Sequence, residues 1–171
     1  MAIDTTLARA STFYTIDAVG EITNGETIVV AGKTYTFQDT LTDSDGNVHI
    51  GADIAATVTN FLAAINLSNE GESAVGAGTD YAASMTRNAN VFAYLTSATV
   101  LTIYAHVPGE IGNFITCTVG TSGVTLDNAT LENGSGNIGD FFDGLFDLNQ
   151  INAEVQTALR PFSTSVGGSV D

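Results

Sequence analysis

The clearest strand signal in the pattern of apolar and polar positions is the Thr-, Val- and aromatic-rich run of residues 27–37, Thr27-Ile-Val-Val-Ala-Gly-Lys-Thr-Tyr-Thr-Phe. Thr and Val with the bulk of Val29, Tyr35 and Phe37 suit a pleated, half-buried surface. Ala31-Gly32 divides the run and predicts a tight hairpin turn, in which Gly32 takes a positive φ at little steric cost. Residues 12–19 predict an earlier strand with mixed alternation. A second turn is expected at Asp45-Gly46-Asn47, because Asp-Gly is a hairpin signal and Val48 and Ile50 resume the alternation after it. The period then changes. Ile54, Ala55, Val58, Phe61, Leu62 and Ile65 follow i, i+3, i+4, i+7 spacing and predict a helix over residues 52–66 with one face on a core. Asp53 near its start complements the helix dipole. Thr57, Thr59 and Asn60 fall off the main apolar stripe.

Residues 67–90 are polar and Gly-rich and read as a long loop, with a short strand near residues 81–84. A loop of that length is often functional or ordered by a partner. Strands are expected at residues 91–95, 100–105, 114–119 and 124–126, with a final short one at 130–132, and Pro108-Gly109 as the turn between two of them. Gly134-Ser-Gly-Asn punctuates the chain. Beyond it, Phe141, Phe142, Leu145, Phe146 and Leu148 crowd into eight residues, Phe141-Phe-Asp-Gly-Leu-Phe-Asp-Leu. Ile151, Val155 and Leu159 continue as a helical stripe that Pro161 stops. The pattern predicts an α+β fold of antiparallel β-hairpins forming a sheet with one packed α-helix, an N-terminal arm and a helical C-terminal extension. Three sections follow: residues 1–20 as arm and first strand, 21–135 as the core module, and 136–171 as a C-terminal docking extension.

Two pieces of the chain carry a resemblance. The first is the hairpin of residues 21–37 running into Gly51-Ala-Asp-Ile-Ala-Ala-Thr-Val-Thr-Asn-Phe-Leu-Ala-Ala. The second is Val100-Leu-Thr-Ile-Tyr-Ala-His-Val-Pro-Gly-Glu-Ile-Gly-Asn-Phe-Ile, a strand, a Pro-Gly-x-x-Gly-Asn turn and a strand. Together, over residues 21–135, they resemble a structural module common in tailed-bacteriophage virion proteins, among them capsid decoration (cement), fibre and tail proteins. The module often ends in a Ser-Gly-Ala-Thr-Leu-x-Gly-Gly segment, which Asp127-Asn-Ala-Thr-Leu-Glu-Asn-Gly matches in its middle only. The resemblance implies a virion structural protein that assembles with sister subunits and with a major capsid or tail protein.

Composition narrows this picture. Acids outnumber basic residues 19 to 4, for a net charge of −15. Gripping nucleic acid needs Lys and Arg to displace counterions from phosphate, and Lys33, Arg9, Arg87 and Arg160 are scattered, so no nucleic-acid partner is expected. On a capsid the charge favours the outer face. The start of the chain has no basic segment followed by a long apolar block, so no signal peptide is expected. No window approaches 18 uninterrupted apolar residues, so no membrane partner is expected either. The expected location is the virion, assembled in the host cytoplasm.

No chemistry stands out. With two histidines, His49 and His106, and one cysteine, Cys117, neither a three-His zinc site nor an internal disulfide can form. Cys117 lies in an alternating apolar run and reads as a small core residue. Asp43-Ser-Asp-Gly-Asn resembles a fragment of a calcium loop but lacks the further donors, the late Glu and the flanking helices of an EF-hand, so a tight turn is expected. Tyr81, Tyr94 and Tyr104 could line a sugar groove, but packing on a sheet explains the last two equally well. The expectation is a non-enzymatic protein without catalytic residues, cofactor or metal. Its favoured role is capsid decoration, with a tail, fibre or adaptor component, or a host-glycan-binding module, as alternatives. The expected partner interface is Phe141, Phe142, Leu145, Phe146, Leu148, Ile151, Val155 and Leu159, because bulky apolar groups are unfavourable in water at about 1.5–3 kcal/mol each.

Overall fold

The computed structural model describes residues 21–67 and 76–135, and the backbone of residues 11–16. In chain order the elements are β1 (Ser11–Ile16), β2 (Thr27–Val30), β3 (Lys33–Gln38), β4 (Asn47–His49), α1 (Ile54–Asn66), β5 (Val91–Ser97), β6 (Val100–Ala105), a 3-10 helix (Glu110–Phe114), β7 (Cys117–Gly120) and β8 (Val124–Leu126). The β2–β3 hairpin forms in the expected register, Val30 opposite Lys33. Both turn residues take positive φ, 54° at Ala31 and 81° at Gly32. That is the signature of the turn whose twist matches a hairpin.

The strands form two sheets. One is antiparallel, in the order β5-β6-β1-β8. The other has the order β4-β3-β2-β7 and is mixed, since β3 pairs β4 in parallel. The fold is therefore α+β, and among the described residues α1 is its only α-helix.

The expected hairpin at Asp45-Gly46 is corrected by this pairing. The turn itself is present, with the Asn47 N–H donating to the Ser44 carbonyl over 3.1 Å. The chain from residue 39 to 46 first doubles back, so β4 restarts beside Thr36 and runs the same way as β3. Asn47 holds this reversal by donating through its amide to the Thr42 carbonyl and hydroxyl, at 3.1 and 2.9 Å.

Helix α1 begins one residue after Asp53, whose carboxylate accepts the Ala56 N–H at 2.7 Å and caps the helix. Thr57, expected off the apolar stripe, is buried. Its hydroxyl donates to the Asp53 carbonyl and accepts the Gly51 N–H, so a polar group enters the interior fully partnered. The helix does not lie across one sheet, as the sequence pattern suggested. It packs on β5 and β4, the edge strands of the two different sheets. Two asparagines make these joints. Asn60 donates to the His49 carbonyl of β4 at 2.9 Å. Asn66 donates to the Ala93 carbonyl of β5 and accepts its N–H, at 2.9 and 2.8 Å. The edge amides of Ala93, which could otherwise template another strand, are thereby occupied.

One core results. Ile28, Val30, Tyr35 and Phe37 meet Val58, Phe61 and Ile65 of the helix and Leu101 and Ile103 of the other sheet, all buried. Phe61 is its aromatic centre, edge-on to Tyr35 at 5.1 Å and to Phe37 at 5.5 Å between ring centroids. Cys117 is buried in the same core. Asn88 is also buried and donates to the Val30 carbonyl at 3.0 Å, with the Tyr35 hydroxyl at 3.4 Å. Burial pushes the Tyr35 phenol up to about 12.

Candidate interaction surface

Expected strand 114–119 starts late. Pro108-Gly109 leads into the 3-10 helix, and β7 begins only at Cys117. Phe114 consequently sits on the surface at 81 % exposure, and Ile111 of the same 3-10 helix, at 60 %, and Val107, at 45 %, are exposed as well. Asn113 explains why the turn needs its asparagine. Its side-chain amide donates to the Gly134 carbonyl and its carbonyl accepts the Gly134 N–H, at 3.0 and 2.9 Å. A Cβ on Gly134 would stand 2.4 Å from the Gly109 carbonyl oxygen, so the approach requires glycine. The Ala129-Thr-Leu segment also has a clear role. The Cys117 N–H donates to the Ala129 carbonyl, the Leu131 N–H to the Ile115 carbonyl, and Leu131 is fully buried. Thr130 forms an isolated bridge with Thr116 in place of the expected short strand. Tyr81 likewise forms a bridge, to Val48, in place of a strand at residues 81–84.

Of the three tyrosines considered for a groove, the structure brings two together. Tyr94 and Tyr104 meet on one face of the β5–β6 pair at 6.1 Å between ring centroids. Phe92 joins them, 5.4 Å from Tyr94 and stacked within 14° on Tyr104 at 5.6 Å, and His106 lies 5.2 Å from Phe92. Tyr94 is 61 % exposed. Tyr81 is instead buried against β4, and burial followed by the charge of Asp80 raises its phenol. Phe92 was not picked out from the sequence, although its i, i+2 spacing to Tyr94 is legible. Nor were Ile111 and Phe114 recognised as surface groups.

The acidic turn is an internal clasp. Asp45 receives the Lys33 ammonium at 2.7 Å, the Thr86 N–H at 2.8 Å and the Thr86 hydroxyl at 2.7 Å. Lys33 also donates to the Thr86 carbonyl. Burial alone would raise the Asp45 carboxyl, but these donors outweigh it and hold it down at about 2. Asp43 accepts the Ser84 N–H at 2.7 Å, and this bond lowers its carboxyl as well. Both carboxylates fasten the turn to a segment about forty positions away in the chain, which is a structural use of the acids.

Among the described residues, no three His, Cys, Asp or Glu side chains are grouped so that they could hold a metal ion. A solvent-open recess at the start of α1 is lined by Glu21, Ile22, Ile50, Asp53 and Thr57. Its Asp53 carboxylate is already engaged as the helix cap. No described helix is long and apolar enough to cross a membrane. The cluster of Phe141, Phe142, Leu145, Phe146, Leu148, Ile151, Val155 and Leu159 lies outside the described residues. No protein-family model matches the chain, and no curated protein sequence matches it.

Proposed function

We propose that this chain is a structural protein of a tailed-bacteriophage virion, acting as a decoration or cement protein on the outer shell. The observation that carries this reading is how the two resembling pieces meet. β2 of the hairpin–helix piece pairs along its whole length with β7, which follows the Pro-Gly-x-x-Gly-Asn turn, so both pieces serve one fold. A surface carrying Ile111 and Phe114 fits the same reading, since exposed apolar groups mark sites of protein contact. In such a role the mechanism is burial of apolar surface at repeated interfaces, so that mass action holds the shell closed. The segment from Phe141 to Leu159 is the docking extension in this account, facing sister subunits or the shell protein beneath. The reading includes no catalytic step and no cofactor.

The test is to count the protein in purified particles. On the order of hundreds of copies per particle supports a symmetric shell lattice. A few to a few dozen moves the role to a vertex, fibre or tail. Absence from particles overturns the proposal.

A further inference from the structure

We propose that the outer face of the β5–β6 pair is a binding platform for uncharged oligosaccharides, with Tyr94 as its principal stacking residue. The platform is independent of any place in a virion. It starts from strand periodicity. Ala93, Leu101 and Ile103 point into the core, so Phe92, Tyr94 and Tyr104 are carried together on the opposite face. In the register of the pair Phe92 lies opposite Tyr104 and Tyr94 opposite Thr102. With His106 one step beyond Tyr104, the strip runs about 14 Å along the strands, four residues at roughly 3.4 Å each.

Its chemistry selects the ligand. Ring faces carry negative potential, so they attract the weakly positive C–H groups of a pyranose face. The phenols of Tyr94 and Tyr104 offer hydroxyl groups, and the exposed Thr96 hydroxyl, held by a hydrogen bond with that of the buried Thr102, lies beside them. Neither β5, Val-Phe-Ala-Tyr-Leu-Thr-Ser, nor β6, Val-Leu-Thr-Ile-Tyr-Ala, contains an acid, a lysine or an arginine. A basic peptide would find no carboxylate on the two strands. Nucleic acid and acidic glycans would be repelled by a chain of net charge −15. A neutral ligand rich in hydroxyl and C–H groups avoids each of these penalties. Tyr94, at 61 % exposure, can be covered by such a ligand without moving the core.

The experiment titrates the full chain with cellohexaose, maltohexaose, chitohexaose and mannohexaose. Calorimetry and intrinsic tyrosine emission both report binding, the latter because the chain contains no Trp. At least one sugar is expected to bind saturably. Tyr94→Ala should weaken it by about tenfold or more, and Tyr94→Phe should retain most of the affinity. The melting temperature should be unchanged in Tyr94→Phe, which keeps the ring contacts, and only modestly lower in Tyr94→Ala, which loses two ring contacts at an exposed position. The proposal is overturned if none of the four binds at millimolar concentration. It is equally overturned if binding survives both Tyr94→Ala and Tyr104→Ala. Dissociation of a self-assembled species by Tyr94→Ala, with no sugar bound, would instead make this face a contact between copies and also overturn it. None of these results depends on how many copies a particle contains.

Discussion

Replacing Phe61 tests the core where the helix meets the hairpin. The ring is 1 % exposed and touches Tyr35 and Phe37 edge-on, at 5.1 and 5.5 Å, so it joins α1 to the β3 strand. Phe61→Leu keeps most of the apolar volume and loses the two aromatic contacts. At about 0.5–1.5 kcal/mol for each pair, it should cost roughly 1–3 kcal/mol. Phe61→Ala also removes transfer energy and leaves a cavity, for a total of about 3–5 kcal/mol. Against a typical domain stability of about 5–15 kcal/mol, the alanine variant approaches the folding threshold at the low end. Urea unfolding followed by far-UV circular dichroism measures both, with Thr59→Ala on the exposed side of the helix as the control. A Phe61→Ala loss under about 1 kcal/mol, or equal losses for Leu and Ala, would refute the assignment of Phe61 to the aromatic centre of the core.

Asn113→Ala strips partners from both backbone groups of Gly134 and should cost about 1–3 kcal/mol in the same assay, with Asn113→Asp intermediate because it keeps an acceptor for the N–H. Equal stability of all three proteins would show that the turn does not need its amide. Asp45 has a folded pKa of about 2, below its ordinary 3.8, so its stabilisation is present above that ordinary value and lost as pH falls through the folded one. Its side chain is 48 % exposed, which screens the contribution to at most about 1 kcal/mol. Asp45→Asn should therefore flatten the acid limb of a stability–pH curve, and an unchanged limb would count against the clasp. Truncation after Asn137 should leave a folded module that no longer joins particles. Failure to fold would assign the Phe141–Leu159 segment to the module's own core, and normal particle binding would move docking to another surface.

The local elements were legible because their signals are local. Residues 27–37 are rich in β-branched and aromatic side chains and carry their own turn, and the spacing from Ile54 to Ile65 leaves little choice but a helix. Pairing between distant segments was not legible. Asp45-Gly46 reads the same whether the next strand returns antiparallel or restarts in parallel, and only the Thr36–Asn47 register distinguishes the two. Thr57 looked solvent-facing because its burial depends on two partners, Asp53 and Gly51, that periodicity does not register. Phe114 fitted an alternating run, yet the 3-10 helix after Pro108-Gly109 delays the strand and turns the ring outward. The pairing of Tyr94 with Tyr104 was open in the sequence because alternation separates two faces without saying which one meets the core.

The most direct test of the virion assignment is an electron-microscope image of purified particles with this protein labelled by antibody. The account predicts label spread evenly over the outer shell. Label confined to the tail or fibres would replace decoration with the tail role, and unlabelled particles would contradict the assignment altogether.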